Sequence, residues 1–232
     1  MSVAEVEGSM ILIPACNEGP RIASVVRDCA LVCPGVPIVV VVNGCEDNTA
    51  QQAKEAGAVI IRSKTGYGHA LLEGYRYAAQ QADLPWLLQL DADGQHPAQY
   101  IPLLLDALDG ADLSIGSRLV EGGSAPGWPR SRRWTIAAMG AVTRWMSGIS
   151  VRDVSSGFQA MRPEVLHALA ADFSPNLTDA NVLVRLYRKG FDIVEVPVRM
   201  SERQGGTSMH GGWKSLVYVG KTLLAVRDEM RG

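Results

Sequence analysis

The sequence predicts an α/β fold, a central, mostly parallel, doubly wound sheet with helices on both faces. Three observations lead there. Short β-branched runs alternate with longer helical patterns through the first half of the 232 residues, the order expected of βαβ units. One of those runs, PIVVVVNG (37 to 44), is apolar at nearly every position, as in a strand covered on both faces. The segments that follow the runs, PACNEG, NGCEDN, SKTGYG and DADGQH, are short, polar and glycine-containing or acidic. In sheets of this kind ligands bind outside the carboxyl ends of the strands, so these segments form the expected binding rim.

The elements follow in order. SMILIP (9 to 14) reads as a strand and RIASVVRDCALVC (21 to 33) as a helix stopped by Pro34 and Gly35. After the strand 37 to 44, DNTAQQAKEAG (47 to 57) is a helix with Asp47 as its cap, AVIIRS a strand, GHALLEGYRYAAQQA (68 to 82) a helix and PWLLQLDAD (85 to 93) a strand. ADLSIGS (111 to 117) is a further strand, and the Gly/Ser/Pro-rich EGGSAPGWP (121 to 129) a loop. RSRRWTIAAMGAVTRWMSG (130 to 148) is helical and basic at its start. A helix over about 178 to 189, a strand FDIVEVPVRM (191 to 200), a loop SERQGGTSMHGG and a last helix near 213 to 228 complete the chain.

Bulk properties narrow the function. This length can bury a sizeable core in a single domain, 1–232. A formal net charge of −2 with 20% charged residues is an ordinary surface and makes no case for nucleic acid as a partner. Cys16, Cys29, Cys33 and Cys45 lack the C-x-x-C spacing of zinc sites, and most lie beside apolar runs that suit reduced, buried thiols. The acidic N-terminus and the absence of an apolar run of roughly 20 residues point to a cytoplasmic protein, soluble or peripheral at the inner face of a membrane.

Asp91 and Asp93, one residue apart just after an apolar strand, can reach one oxygen-loving cation, and Mg²⁺ or Mn²⁺ would keep positions open for phosphate oxygens. A solvated turn is the other reading of Asp-x-Asp. An EF-hand is rejected, since Gln95 and His96 stand where that loop wants Asp or Asn and then Gly. Gly66 and Gly68, opening a helix, either present backbone N–H groups to an anion or make a tight turn. Between 118 and 152 lie six arginines and one acid, Glu121, interleaved with Trp128, Trp134 and Trp145. That suits a phosphate-bearing acceptor or a membrane headgroup zone, or else a solvated helix whose tryptophans are core.

Seven segments in order carry a resemblance: ILIPACNEG (11 to 19), VVNGCEDNT (41 to 49), GYGHALLEGYRYA (66 to 78), DADGQHP (91 to 97), GSRLVEGG (116 to 123), DVSSGFQAMR (153 to 162) and EVPVRMSERQGGTS (195 to 208). Over about residues 10 to 215 the chain resembles family 2 glycosyltransferases of the GT-A fold, near the branch of dolichyl-phosphate mannose synthases and polyprenyl-phosphate glycosyltransferases. The resemblance implies a Rossmann-like three-layer GT-A sandwich, with a nucleotide-binding half over about 9–117 and an acceptor-binding half over about 118–232.

Residue by residue, the resemblance implies that Pro14, Ala15, Asn17, Glu18 and Asn43 line the base and ribose pocket, with Gly68, Asp91 and Ala92 also on the nucleotide. Relatives usually have one or two aspartates where this chain has Val42 and Asn43, so an amide replaces a carboxylate contact. Asp91, Asp93 and Gln95 are the implied metal ligands, Asp93 the most direct. Arg118 and Arg203 would meet phosphates, the first through its planar fork, the second from a glycine-rich lid. Asp153, Ser156, Gly157 and Arg130 fall on the acceptor and sugar side, with Val154 where relatives mostly have Pro. Asp179 is the survivor of an acidic pair, Thr178 taking the other place. It is the candidate base for an alcohol acceptor, whereas a phosphate acceptor needs none; helix N-terminal charge is its alternative role.

The implied activity is transfer of a hexose or N-acetylhexosamine from a nucleoside-diphosphate sugar, by direct displacement with inversion and with metal assistance to the leaving diphosphate. A UDP-sugar is favoured over GDP-mannose. The acceptor is a polyprenyl phosphate or a soluble hydroxyl compound, and homo-oligomerisation stays open. A nucleotidyltransferase and a non-catalytic nucleotide-sugar binder are the alternatives. The first expects a glycine-rich basic loop that ACNEGPR does not supply, and the second would lose the metal carboxylates.

Overall fold

The computed structural model describes residues 8–81, 83–176, 179–201, 226–227 and 229–230. Its elements run β1 (Met10–Ala15), α1 (Gly19–Val32), β2 (Ile38–Val42), α2 (Thr49–Glu55), β3 (Val59–Arg62), α3 (Tyr67–Ala79), β4 (Leu87–Gln89), α4 (Ile101–Asp106), β5 (Leu113–Ser117), α5 (Arg130–Ser147), β6 (Gln159–Met161), α6 (Pro163–Asp172), α7 (Asp179–Arg188) and β7 (Ile193–Pro197). Single 3₁₀ turns at Ala98–Tyr100 and Ala107–Asp109 flank α4.

The seven strands form one sheet in the order β3-β2-β1-β4-β6-β5-β7. β1 pairs in parallel with β2 and β4, β2 with β3, and β5 with β7. β6 is the exception, antiparallel to both β4 and β5. All residues of β1 and β2 are buried because successive side chains serve opposite faces. Ile11, Ile13, Ile38, Val40 and Leu88 pack under α1, α2 and α4 through Ile22, Val26, Ala53 and Leu104. Met10, Leu12, Val39, Val41 and Leu87 pack against Leu71 and Tyr75 of α3, Leu166 of α6 and Leu183 of α7. The helices therefore form two layers around the sheet, as the alternating pattern predicts. At Gly74 a Cβ would come within 2.5 Å of a Leu12 methyl, so α3 lies on β1 at glycine distance.

Several expectations are corrected. The strand expected over 85 to 93 pairs only at Leu87–Gln89. Leu90 still donates to the Leu12 carbonyl, but the chain then turns through Gly94 at φ +76°, which lifts Asp91 and Asp93 off the ladder. The strand expected over 191 to 200 is Ile193–Pro197, with an isolated bridge between Ser124 and Arg199. α4, α6 and the antiparallel β6 were not expected. α6 does carry a start signal, Pro163 in its first turn. Residues 202–225, with the expected lid loop and most of the last helix, lie outside the described residues; Val226 joins the α3-side core and Glu229 pairs with Arg185.

Candidate active site

The carboxyl ends of β1 and β2 are fastened together by their own polar side chains. Asn43, buried after β2, donates through Nδ2 to the Ala15 carbonyl at 3.1 Å and accepts from the Gly66 N–H at 3.4 Å. Asn17 sits at φ +56°, a conformation Asn tolerates better than most residues, and its Oδ1 accepts from the Glu46 N–H at 2.9 Å. Glu18, buried at the N-cap of α1, accepts from Arg21 Nε at 2.5 Å, while its own N–H donates to Thr49 Oγ1 at 2.8 Å. Pro14 and Ala15 close β1 beneath these contacts. Asp47, expected as the cap of α2, spans two helices: it accepts from the Thr49 N–H at 3.0 Å and from the Gly19 N–H of α1 at 2.9 Å. Its burial opposes ionisation, but hydrogen bonds from Thr49 and Gly19 prevail and hold the carboxyl below its usual range.

Beside these loops lies the acidic turn after β4. Asp93 is buried and its Oδ1 accepts from the Gln95 N–H at 3.0 Å, while Gln95 Nε2 donates to the Ser201 carbonyl at 3.3 Å. Ala92 is buried between the two acids. Asp91, whose side chain is 34% exposed, accepts from Tyr67 Oη at 3.1 Å. Gly157 faces this pair closely: a Cβ there would stand 3.0 Å from Tyr67 Oη and 3.4 Å from Asp91 Oδ1. Its carbonyl accepts from Gln89 Nε2, and Gln89 in turn accepts from Tyr75 Oη, a buried polar chain that ties α3, β4 and the segment before β6.

His96 props up the turn from inside. Its Nδ1 accepts from the Asp91 N–H at 3.0 Å, and its ring stacks on Phe158 at 5.1 Å between centroids and 8° between planes. Burial first, and the charge of Arg118 with it, pull its pKa down to about 4 against the attraction of Asp93 and Asp153. The ring is neutral at pH 7, and with Nδ1 accepting, its proton is on Nε2, 3.8 Å from Asp91 Oδ2.

The residue types fit a divalent cation. Among the described residues no group of three or more His, Cys, Asp or Glu side chains is placed to hold a metal ion. Two carboxylates and the Gln95 side chain are oxygen donors of the type that suits Mg²⁺ or Mn²⁺, which keep open positions for waters and substrate phosphates, and would not make an all-protein cage.

Arg118 is placed differently from its expected role. Its Nε and Nη2 donate to the two oxygens of Asp153 at 2.6 Å each, and its N–H donates to the same carboxylate at 3.1 Å. The bidentate fork foreseen for phosphate is thus taken by a carboxylate with no exposure, whose burial is outweighed by Arg118 so that its pKa is lowered. The Arg118 guanidinium also lies 4.4 Å from the Trp128 ring centroid, and that of Arg132 lies 4.1 Å from it. Ser156 is buried and donates to the Gly116 carbonyl at 2.6 Å, which fastens its segment to β5. Arg130 is exposed at the first position of α5. At Gly68 a Cβ would meet the Pro175 carbonyl oxygen, so this glycine permits α3 to abut the turn before α7. Asp179 opens α7, and Arg203 lies outside the described residues.

This arrangement, a polar rim at β1 and β2 with an acidic turn after β4, accompanies a match of residues 10–170 to the model of glycosyl transferase family 2. The chain belongs to glycosyl transferase family 2. It is 33% identical over 223 residues to a polyprenol monophosphomannose synthase of Mycolicibacterium smegmatis, covering 91% of this chain and 84% of that protein. It is 32% identical over 233 residues to an undecaprenyl-phosphate mannosyltransferase of Micrococcus luteus, covering 95% and 96%. Among solved structures, glucosyl-3-phosphoglycerate synthase of Mycobacterium tuberculosis with Mg²⁺ and UDP superposes with a TM-score of 0.70 at 19% identity, covering 100% of this chain and 84% of that one. The fold is thus the expected GT-A sandwich, and the protein is a glycosyltransferase.

Tyr67, His96, Gln89 and Asp47 had no assigned part in the sequence reading of the site. His96 and Tyr67 lie inside the motifs DADGQHP and GYGHALLEGYRYA, but the Phe158 ring stacked on His96 and the Asp91 carboxylate that meets Tyr67 are distant from them in sequence.

Proposed function

We propose that this family 2 glycosyltransferase moves a hexose, mannose first among them, from a nucleoside diphosphate to a polyprenyl phosphate. The observation that carries the reading is the turn Asp91–Asp93, lifted off β4 and set against Gly157, beside the fastened β1 and β2 loops. The acceptor and the sugar rest on relatives named for polyprenol and undecaprenyl phosphates and for mannose. A UDP-sugar stood ahead of GDP-mannose on sequence; the mannose named in both relatives reverses that order.

In this reading Pro14, Ala15, Asn17, Glu18, Asn43, Gly68 and Ala92 border the nucleoside. Asp93, Asp91 and Gln95 hold Mg²⁺ or Mn²⁺, which when bound supplies positive charge to the departing diphosphate. Tyr67 and His96 keep Asp91 aimed. Arg118 acts through its charge and by ordering the segment of Asp153, Ser156 and Gly157, since its fork is already engaged; Arg203 supplies a further phosphate contact. Arg130 lies on the acceptor side. The acceptor phosphate is an anion, so it attacks the anomeric carbon directly, with inversion, and Asp179 is not required as a base. The enzyme works in the cytoplasm, peripheral at the inner membrane face.

The test is turnover with Mn²⁺ and either GDP-mannose or UDP-hexoses, with a polyprenyl phosphate or a soluble alcohol as acceptor, reading released nucleotide and lipid-linked sugar. Lipid-linked mannose from GDP-mannose, lost in Asp93→Ala, is expected. Transfer to the alcohol but not to the lipid phosphate, or full activity in Asp93→Ala, would overturn the reading.

A further inference from the structure

The outward stripe of α5 is apolar where a surface helix is ordinarily polar. Trp134, Ala138, Ala141 and Trp145 recur at intervals of four, three and four and are all exposed, the two indoles by 75% and 85%. The opposite stripe, Met139, Gly140 and Thr143, is buried against the body. Eleven residues of helix set the two indoles roughly 16 Å apart along the axis. Arg130 and Arg133 at the helix start, and Arg152 just past its end, are exposed as well. From 122 to 152 the sequence holds five arginines and no acid, in a chain whose net charge is −2.

We propose that this face of α5 seats the protein on an anionic lipid surface, Trp134 and Trp145 entering the headgroup layer and the arginines meeting lipid phosphates. Indoles favour that layer because an apolar body and one N–H suit its two environments. The clustered positive charge is complementary to an anionic leaflet. A second copy of the chain fits less well: the exposed parts of the two indoles amount to roughly 400 Å², about half of the ~800 Å² per partner that stable association usually buries. No helix among the described residues is long and apolar enough to cross a membrane, so the contact lies along the surface. Arg132 of α5 and Arg118 beside the site share the Trp128 ring, which couples the seated helix to the acceptor side.

The proposal assigns a face and a lipid chemistry to the peripheral contact of the reading above and rests on it for nothing else, since lipid binding is read without donor or acceptor. The full chain is floated with phosphatidylglycerol-containing vesicles and with pure phosphatidylcholine vesicles, while turnover is followed separately on a short, water-soluble prenyl phosphate. Wild type is expected to float with the anionic vesicles. Trp134→Ser/Trp145→Ser should bind them about tenfold more weakly or worse yet keep its thermal unfolding and its turnover on the soluble acceptor. Arg130→Ala/Arg133→Ala should lose the preference for the anionic lipid. Unchanged flotation of the tryptophan variant overturns the proposal, as does a wild-type dimer that this variant splits while it still floats. Absent wild-type turnover with normal flotation would count against the catalytic reading and leave this one standing.

Discussion

Replacing Asp153 by Asn would leave the Arg118 guanidinium, with only 8% of its side chain exposed, beside a neutral amide. The native carboxylate accepts from Arg118 Nε, Nη2 and N–H and from Ser155 Oγ. Breaking one side of a buried ion pair costs ~3–5 kcal/mol, because the remaining charge has lost its compensation. For a chain of this size each kcal/mol lowers Tm by ~2–4 °C, so Asp153→Asn should melt about 6–20 °C below wild type. Arg118→Met should fall in the same range. The double variant should recover most of the loss, since replacing both charges is far cheaper than stranding one. Thermal unfolding by circular dichroism of the four proteins measures this cycle. The pH dependence has a definite sign. Asp153 has a folded pKa below its unfolded value. Its contribution is therefore present above about pH 3.9 and is lost as pH falls through the lower folded value, a loss that Asp153→Asn should lack. A Tm change under about 2 °C for the single variants, or a double variant as weak as the sum of the two, would refute the reasoning.

Two further outcomes follow from the acidic turn. His96 ionises only near pH 4 when folded, whereas the unfolded imidazole takes its proton near 6.5, so stability should fall as pH drops through that window, by about 3 kcal/mol in all. His96→Asn, whose side-chain oxygen can still accept from the Asp91 N–H, should flatten that slope when urea midpoints are compared at neutral and mildly acid pH; an unaltered slope would remove His96 as its source. Gly157→Ala places a methyl 3.0 Å from Tyr67 Oη and 3.4 Å from Asp91 Oδ1, so kcat/KM at fixed Mn²⁺ should drop on the order of 10–100-fold with little change in Tm. Normal kinetics in that variant would mean that the Asp91 position is not critical.

Much of the first half of the chain was legible because its signals are local. Six apolar residues in β1, five in β2 and the amphipathic periods of α1 and α3 each declare an element within a short window. The Asp91–Asp93 turn was legible for the same reason, as polar residues ending an apolar run. The second half was harder. β6 has only three paired residues and takes its place by pairing with β4 and β5, whose partners lie about 70 and 46 residues away in sequence. Nothing within its own window distinguishes it from a loop. Arg118 looked like a phosphate ligand because an arginine at a strand end has that chemistry; that its fork turns to Asp153, 35 residues on, depends on how β5 and the segment before β6 come together.

The sequence by itself determined the alternation of elements, the strand ends at which chemistry collects, the acid pair with its spacing and the family to which these belong, all carried by residue type and near-neighbour order. Only the tertiary structure decided which charges face each other. It set Tyr67 on Asp91, His96 beneath the turn, Arg118 on Asp153 and the two indoles of α5 outward. Tyr67 and Asp91, Arg118 and Asp153, and the stacked rings of His96 and Phe158 are far apart in sequence, so burial and the geometry of the assembled sheet select these partners.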